Sequence, residues 1–220
     1  MKRIYKLMTL TYPNGQLIGA LTGSVTKFLS HESKIADICK QTPSNEPIVY
    51  RLSHDNEMGK TTLHIKTPDG KELSLSTKYA IGETIEIEGS IDAFFRRYRT
   101  AHTSPTLRFA FMPELKTMLK TSDANTTYYM RITDIKPVRV MRIHADYAYD
   151  LGVHCISICK RKCYYIPNFD TDSITFYSTA HRAMMALAYQ ILPQNIVLNN
   201  HVCLIYEFEL LRINRKDIKT

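Results

Sequence analysis

The sequence predicts an α+β fold: a mixed β-barrel with flanking helices and an inserted β-hairpin, in one domain covering residues 1–220. Three observations point there. Segments that alternate, or are continuously apolar as buried strands are, outnumber segments with helical spacing. The two best helical patterns lie near opposite ends of the chain, so they flank the strands rather than alternate with them. A turn sequence, Thr67-Pro68-Asp69-Gly70, joins two alternating runs within a stretch, about 40–78, that reads as an insertion.

Taken in order, residues 2–12 alternate as a strand does, and Pro13, Asn14 and Gly15 end it with turn chemistry. Leu17, Ala20, Leu21, Val25, Phe28, Leu29, Ile35 and Ile38 then follow helical spacing, which predicts one or two short helices between residues 16 and 39, broken near Gly23. Residues 40–47 are polar and rich in turn formers, and residues 48–77 read as strands. Beyond Gly82, Ile85 and Ile87 alternate with Glu86 and Glu88, giving a strand with one buried and one acidic face. Residues 93–112 are aromatic and basic, and Pro113 starts a short helix through Leu119. The run YYMRITDIKPVRVMRI is a long strand with an interruption or bulge expected at Pro137. Residues 145–153 form a short helix ended by Gly152. TAHRAMMALAYQIL is the strongest helix, with Thr179 as its cap and Pro193 beyond its end. VCLIYEFELLRI is almost continuously apolar, as a central strand covered on both faces would be.

A hydrophobic fraction of 44% over 220 residues can fill a core. No apolar stretch is long enough to cross a bilayer, and the first residues lack the apolar run of a secretion signal, so a cytoplasmic location is expected. Five cysteines, an odd number with three at Cys155, Cys159 and Cys163, suit reduced thiols better than a disulfide framework. The net charge of +8 favours an anionic partner: a nucleic acid, a nucleotide or an acidic protein surface.

The segment AFFRRYRTAHTSPTLRF carries the clearest functional signal. Arg96, Arg97, Arg99 and Arg108 lie in a window, 93–113, without an acid, and Phe94, Phe95, Tyr98 and His102 are interleaved with them. Guanidinium groups fork onto phosphates while rings stack on bases. The competing reading is an exposed loop anchored by its aromatics. Lys160, Arg161 and Lys162, beside Tyr164 and Tyr165, form a shorter basic run suited to phosphate contacts. Lys136, Arg139, Arg142 and His144 recur in near-threes along a strand, which spreads them over both faces and reads as solvated side chains. The three clustered cysteines and His154 lack the closer C-x2-C pairs of a structural zinc site, and His181 and His201 lack helical partners, so no metal is expected. No Gly-rich phosphate loop is present and no cofactor is implied. Glu86 with Glu88, and Glu207 with Glu209, share strand faces as acid/base pairs do, and as solvated faces do more often.

Several of these segments together resemble the phage-type ASCH domains of the PUA-like superfamily. Met112 and Pro113 fall on the family's Met-Pro step. Ile132, Thr133, Asp134 and Ile135 fall on its strand ending in T-D-V, and Ala148, Gly152 and Val153 on the helix that ends in A-x-x-E-G-V. KYAIGETIEIEGS is similar to the family's Y-x-x-G-D strand, and HVCLIYEFELL to its closing strand. The resemblance covers most of the chain from residue 16 onward. It implies a PUA-like pseudo-barrel, a phage origin and binding of RNA or modified nucleosides; a few relatives cut RNA or hydrolyse acylated cytidine. The family's G-x-K-T-x-T motif, whose lysine carries the hydrolytic role, meets Gly23 and Thr26 here. Val25 stands at the lysine's place, Phe28 at that of the second threonine, and Lys27 two positions from the expected lysine. The family's arginine and glutamate fall on Glu88 and Gly89.

The expected function is therefore non-catalytic binding of RNA or a modified nucleoside through residues 94–108, with Lys160 to Lys162 in support. A hydrolase using Lys27, Thr26 and Glu88 is the first alternative, and a phage interaction protein that meets an acidic protein the second.

Overall fold

The computed structural model describes residues 6–8, 25–32, 35, 48–67, 70–87, 126–168 and 173–214. The predicted turn at 13–15, the loop at 40–47 and everything foreseen between 88 and 125 lie outside them.

The central sheet is built from β1 (Lys6–Met8), β2 (Lys27–Ser30), β6 (Thr84–Ile87), β7 (Thr126–Arg139) and β11 (Val202–Asn214), in the spatial order β1-β6-β7-β11-β2. Among the described residues only the β1–β6 pair of this sheet is parallel. A second sheet is the meander β3 (Val49–Asp55), β4 (Lys60–Lys66) and β5 (Glu72–Ser76). A third holds β8 (His154–Ile158), β9 (Arg161–Asn168) and β10 (Ser173–Tyr177), with β9 in the middle. Strands dominate and the helices are few, so the α+β class holds. Among the described residues no sheet closes into a barrel.

β11 explains the layering. It lies between β7 and β2, and successive side chains point to opposite faces. Val202, Leu204, Tyr206 and Phe208 enter one core with Phe28, Tyr128, Met130, Ile132 and Ile135, and Leu63, Ile65 and Leu75 of the meander close that core. Cys203 and Ile205 enter the other core with Leu29, under the helices. Both faces are covered, so the run is apolar without alternation.

The helical layer follows β7. A 3-10 turn (Val140–Arg142) leads to the single-turn helix α1 (Tyr147–Asp150). The helix ends as predicted: Gly152, at φ +103°, donates to the Tyr149 carbonyl and Val153 donates to that of Ala148. This two-bond closure needs a left-handed residue and suits glycine. In α2 (Ala180–Ile191), the predicted Thr179 cap accepts from the Arg182 N–H at 3.2 Å, and Ala183, Met184, Leu187 and Ala188 are buried. Pro193 precedes α3 (Gln194–Leu198).

Two expectations are corrected and a third is extended. Lys27–Ser30 is a strand, not part of a helix, and pairs antiparallel with Leu204 to Glu207 of β11. Its apolar residues split between the two cores, and two-sided burial mimics the i, i+3, i+4 spacing of a helix. The expected hairpin forms as the β4–β5 pair, with Gly70 at φ +84° donating to the Thr67 carbonyl at 2.9 Å, and β3 extends it to a three-stranded meander whose Leu63, Ile65 and Leu75 enter the first core. Finally, β7 runs unbroken through Pro137, which pairs with Leu204; the register shift falls instead at Thr133, between the Asp134–Glu207 and Ile132–Phe208 pairs. Pro137 lies past the end of β6, so its missing N–H interrupts no β6 ladder.

No described helix is long and apolar enough to cross a membrane.

Candidate functional site

The bulge at Thr133 shapes the most elaborate polar group among the described residues. Along β7, Tyr128, Met130 and Ile132 face the first core. Without the extra residue, Asp134 and Lys136 would follow them inward. With it, Ile135 takes the inward position, and Asp134 and Lys136 turn to the helix-side face. The same face receives Lys27 from β2, opposite Glu207 of β11. The last turn of α1 then brings Asp150 above them.

Lys27 Nζ donates to Asp150 Oδ2 at 2.5 Å and lies 3.8 Å from Glu207 Oε1. The Tyr147 ring lies against its ammonium at 5.1 Å to the centroid, a cation–π contact. Lys136 Nζ donates to the same Glu207 oxygen at 2.7 Å and lies 3.0 Å from Asp134 Oδ2. The result is a chain, Asp150–Lys27–Glu207–Lys136–Asp134, in which cations and anions alternate. The bond to Glu207 holds the Lys136 ammonium well above the ordinary lysine range, against the opposing pull of burial. Burial, then the Asp134 carboxylate, raise the Tyr50 phenol of β3, which is also within electrostatic reach of Lys136, Tyr147 and Glu207. Backbone bonds fix the frame: Thr26 N–H donates to the Asp150 carbonyl at 3.0 Å, and Phe208 N–H to the Thr26 carbonyl at 2.9 Å. Two ammonium groups facing three carboxylates can hydrogen-bond a neutral ligand that has both donors and acceptors. They suit a phosphate poorly, because every lysine already holds an acid.

Of the alternative catalytic set, the fold therefore brings Lys27 and Thr26 to this group, while Glu88 lies outside the described residues. So do Phe94, Phe95, Arg96, Arg97, Tyr98, Arg99, His102 and Arg108. Glu207, Asp150, Asp134 and Lys136 are the members that motif reading did not assemble. Lys136 was expected to be solvated and is instead locked between two carboxylates; Arg139 was expected to be solvated and is buried, 4% exposed. Arg131 pairs with Glu209 directly across the ladder, so that glutamate too is engaged. Lys27 was singled out by the motif comparison, but its partner Asp150 lies 123 residues away.

Lys160, Arg161 and Lys162 stand exposed at the tip of the β8–β9 hairpin. Its two-residue turn puts Cys159 at φ +48° and Lys160 at φ +65°, the left-handed pair that matches strand twist and normally selects Asn-Gly. None of the three cations forms an ion pair among the described residues. The cysteines are dispersed: Cys155 and Cys163 point to opposite faces of the hairpin and Cys159 is in the turn, as the register requires. Among the described residues no group of three or more His, Cys, Asp or Glu side chains is arranged to hold a metal.

No family model, curated protein or solved structure matches this chain.

Proposed function

We propose that this chain binds RNA or a modified nucleoside, that its architecture is a PUA-like barrel related to the ASCH domains, and that it is a non-catalytic phage protein acting in the host cytoplasm. The observation that carries the reading is the distribution of unpaired positive charge. Lys27, Lys136, Arg131 and Arg51 are matched by carboxylates, whereas the β8–β9 tip presents three adjacent cations with none among the described residues. Together with a net charge of +8 and the acid-free arginine–aromatic segment 93–113, this favours a polyanion.

The test is fluorescence anisotropy with a labelled single-stranded RNA across a salt series. Binding is expected to weaken linearly on a log–log plot, and Arg97→Ala with Arg99→Ala to weaken it further. Affinity indifferent to salt overturns the reading. If an acidic protein were the partner, RNA and nucleosides would both fail to bind.

A hydrolase acting on RNA or an acylated nucleoside is the second reading, favoured by one observation: Lys27 touches a carboxylate beside Thr26. An ammonium there can stabilise an oxyanion while Glu207 or Asp150 takes a proton from water. That reading requires turnover that Lys27→Ala abolishes.

A further inference from the structure

The third sheet carries a row of rings across all three of its strands. His154 of β8 lies opposite Tyr165 of β9, and Tyr165 opposite Phe176 of β10. The first pair is stacked, with centroids 5.3 Å apart and planes at 22°; the second is tilted, at 5.8 Å. Tyr165 is buried in the first core and anchors the row, while Phe176 at its edge is 48% exposed. A half-exposed phenylalanine on an edge strand leaves an apolar ring in water, backed by a second ring that restricts its motion.

Period-two alternation puts Arg161 and Cys163 on the same face as Tyr165 and Phe176. Arg161 sits four residues along β9 from Tyr165, about 13 Å at strand rise. Lys160 and Lys162 adjoin it at the tip. The strands 154–168 and 173–177 contain no aspartate or glutamate. A non-glycine residue in the left-handed region costs about 1 kcal/mol or more, so a lysine at the second turn position is a poor choice for folding alone. Ile156 and Ile174 share this face and pack with Tyr165 against the first core, so it emerges at its ends: the exposed Phe176 ring on the edge strand, and Arg161, without an ion pair among the described residues, beside the tip, while Lys162 points to the opposite face.

We infer that the rim of this sheet is a platform for single-stranded RNA, with one base stacked on Phe176 at the β10 edge and the backbone running past the end of the sheet to phosphate contacts at Arg161 and, around the hairpin tip, Lys160 and Lys162. The inference rests on the RNA-binding reading and locates its strand. A single strand is required because bases within a duplex already stack on each other and present no free face to the ring. The separation of ring and cations suits several nucleotides rather than one nucleoside.

The chain has no tryptophan, so Phe176→Trp introduces a unique fluorophore that reports on this position alone. Adding a poly(U) oligonucleotide to that variant should quench the indole with the same midpoint as the anisotropy of the labelled RNA. Phe176→Ala should weaken binding about 5- to 150-fold, and Phe176→Tyr should restore it. If the RNA binds without quenching, and Phe176→Ala binds as tightly as the wild type, the platform is refuted while RNA binding stands. If the wild type binds no RNA at low salt, both fall. Quenching by poly-glutamate but not by RNA also refutes it and assigns the face to an acidic protein.

Discussion

The Lys27–Asp150 pair joins β2 to α1 across the helix-side face, and a double-mutant cycle measures what it contributes. Lys27→Met keeps the length of the side chain and removes its charge; Asp150→Asn keeps the shape of its partner. The Lys27 side chain is 12% exposed and that of Asp150 39%. A hydrogen bond between charged groups contributes about 1.5–3 kcal/mol net. The low end applies here, because water can reach Asp150 once the lysine is gone and Glu207 retains Lys136 at 2.7 Å. Lys27→Met should therefore cost about 1.5–2 kcal/mol and Asp150→Asn about 1–1.5 kcal/mol. The double variant should cost about 1 kcal/mol less than the sum, the coupling expected of a partly buried contact. Urea unfolding followed by circular dichroism reads this directly. With a slope of about 2.5 kcal/mol/M, Lys27→Met moves the midpoint down by about 0.6–0.8 M at constant slope. A coupling below about 0.3 kcal/mol, the level of additive and independent sites, would refute the idea that this pair holds the network together.

Three further outcomes follow from particular residues. Burial, and then the charge of His201, hold His31 below the ordinary histidine value of 6.5, with Glu32 pulling weakly the other way. The unfolded chain therefore binds a proton that the folded chain resists, so this contribution is complete above about pH 6.5 and is lost as pH falls through the lowered folded value. Urea midpoints taken between about pH 8 and pH 5 should fall more steeply for the wild type than for His31→Gln, and equal slopes would contradict it. Gly152→Ala should cost about 1–2 kcal/mol by thermal or urea unfolding, because alanine is strained at φ +103° in the closure that positions Asp150; an unchanged midpoint would show that the closure is dispensable. Lys160→Gly should do the reverse, gaining about 0.5–1 kcal/mol of stability at a left-handed turn position while weakening RNA binding; a variant that gains in both would show that the lysine serves no polyanion.

The sequence was legible wherever burial is one-sided or a local bond ends an element. The meander shows in its alternation and its TPDG turn, α2 in its Thr179 cap, and α1 in the glycine that closes it. β2 was not legible, because Phe28 and Leu29 serve different cores and the resulting pattern imitates a helix. Nor was the bulge. Proline was the obvious place to expect an irregularity, yet Pro137 lies where β7 has no β6 neighbour, and the shift fell on Thr133, which carries no sequence mark. The ion network depends on that shift and on contacts between β2, β7, α1 and β11, which no local pattern encodes. Asp150 fell within the short helix read over 145–153 without being singled out, and Glu207 was one of two ambiguous glutamates in the closing strand.

The two charged features differ in a way that separates binding from chemistry. In the network, Glu207 is shared by both lysines, Asp150 holds Lys27 and Asp134 holds Lys136, so three carboxylates meet two ammonium groups and the local sum is −1. A phosphate brought to either lysine would approach a carboxylate as well. At the hairpin tip a phosphate meets three cations and no described acid. Salt dependence should therefore arise at the tip and not at Lys27. For single-stranded RNA each phosphate contact contributes a slope of about −0.7, so replacing Lys160, Arg161 and Lys162 together by alanine should flatten the log–log salt plot by about 2. Lys27→Met should leave that slope unchanged, whatever it does to stability or turnover. A change in slope on Lys27→Met would mean that the backbone reaches the network after displacing its carboxylates, and the division between a phosphate-binding sheet and a charge-balanced polar centre would have to be abandoned.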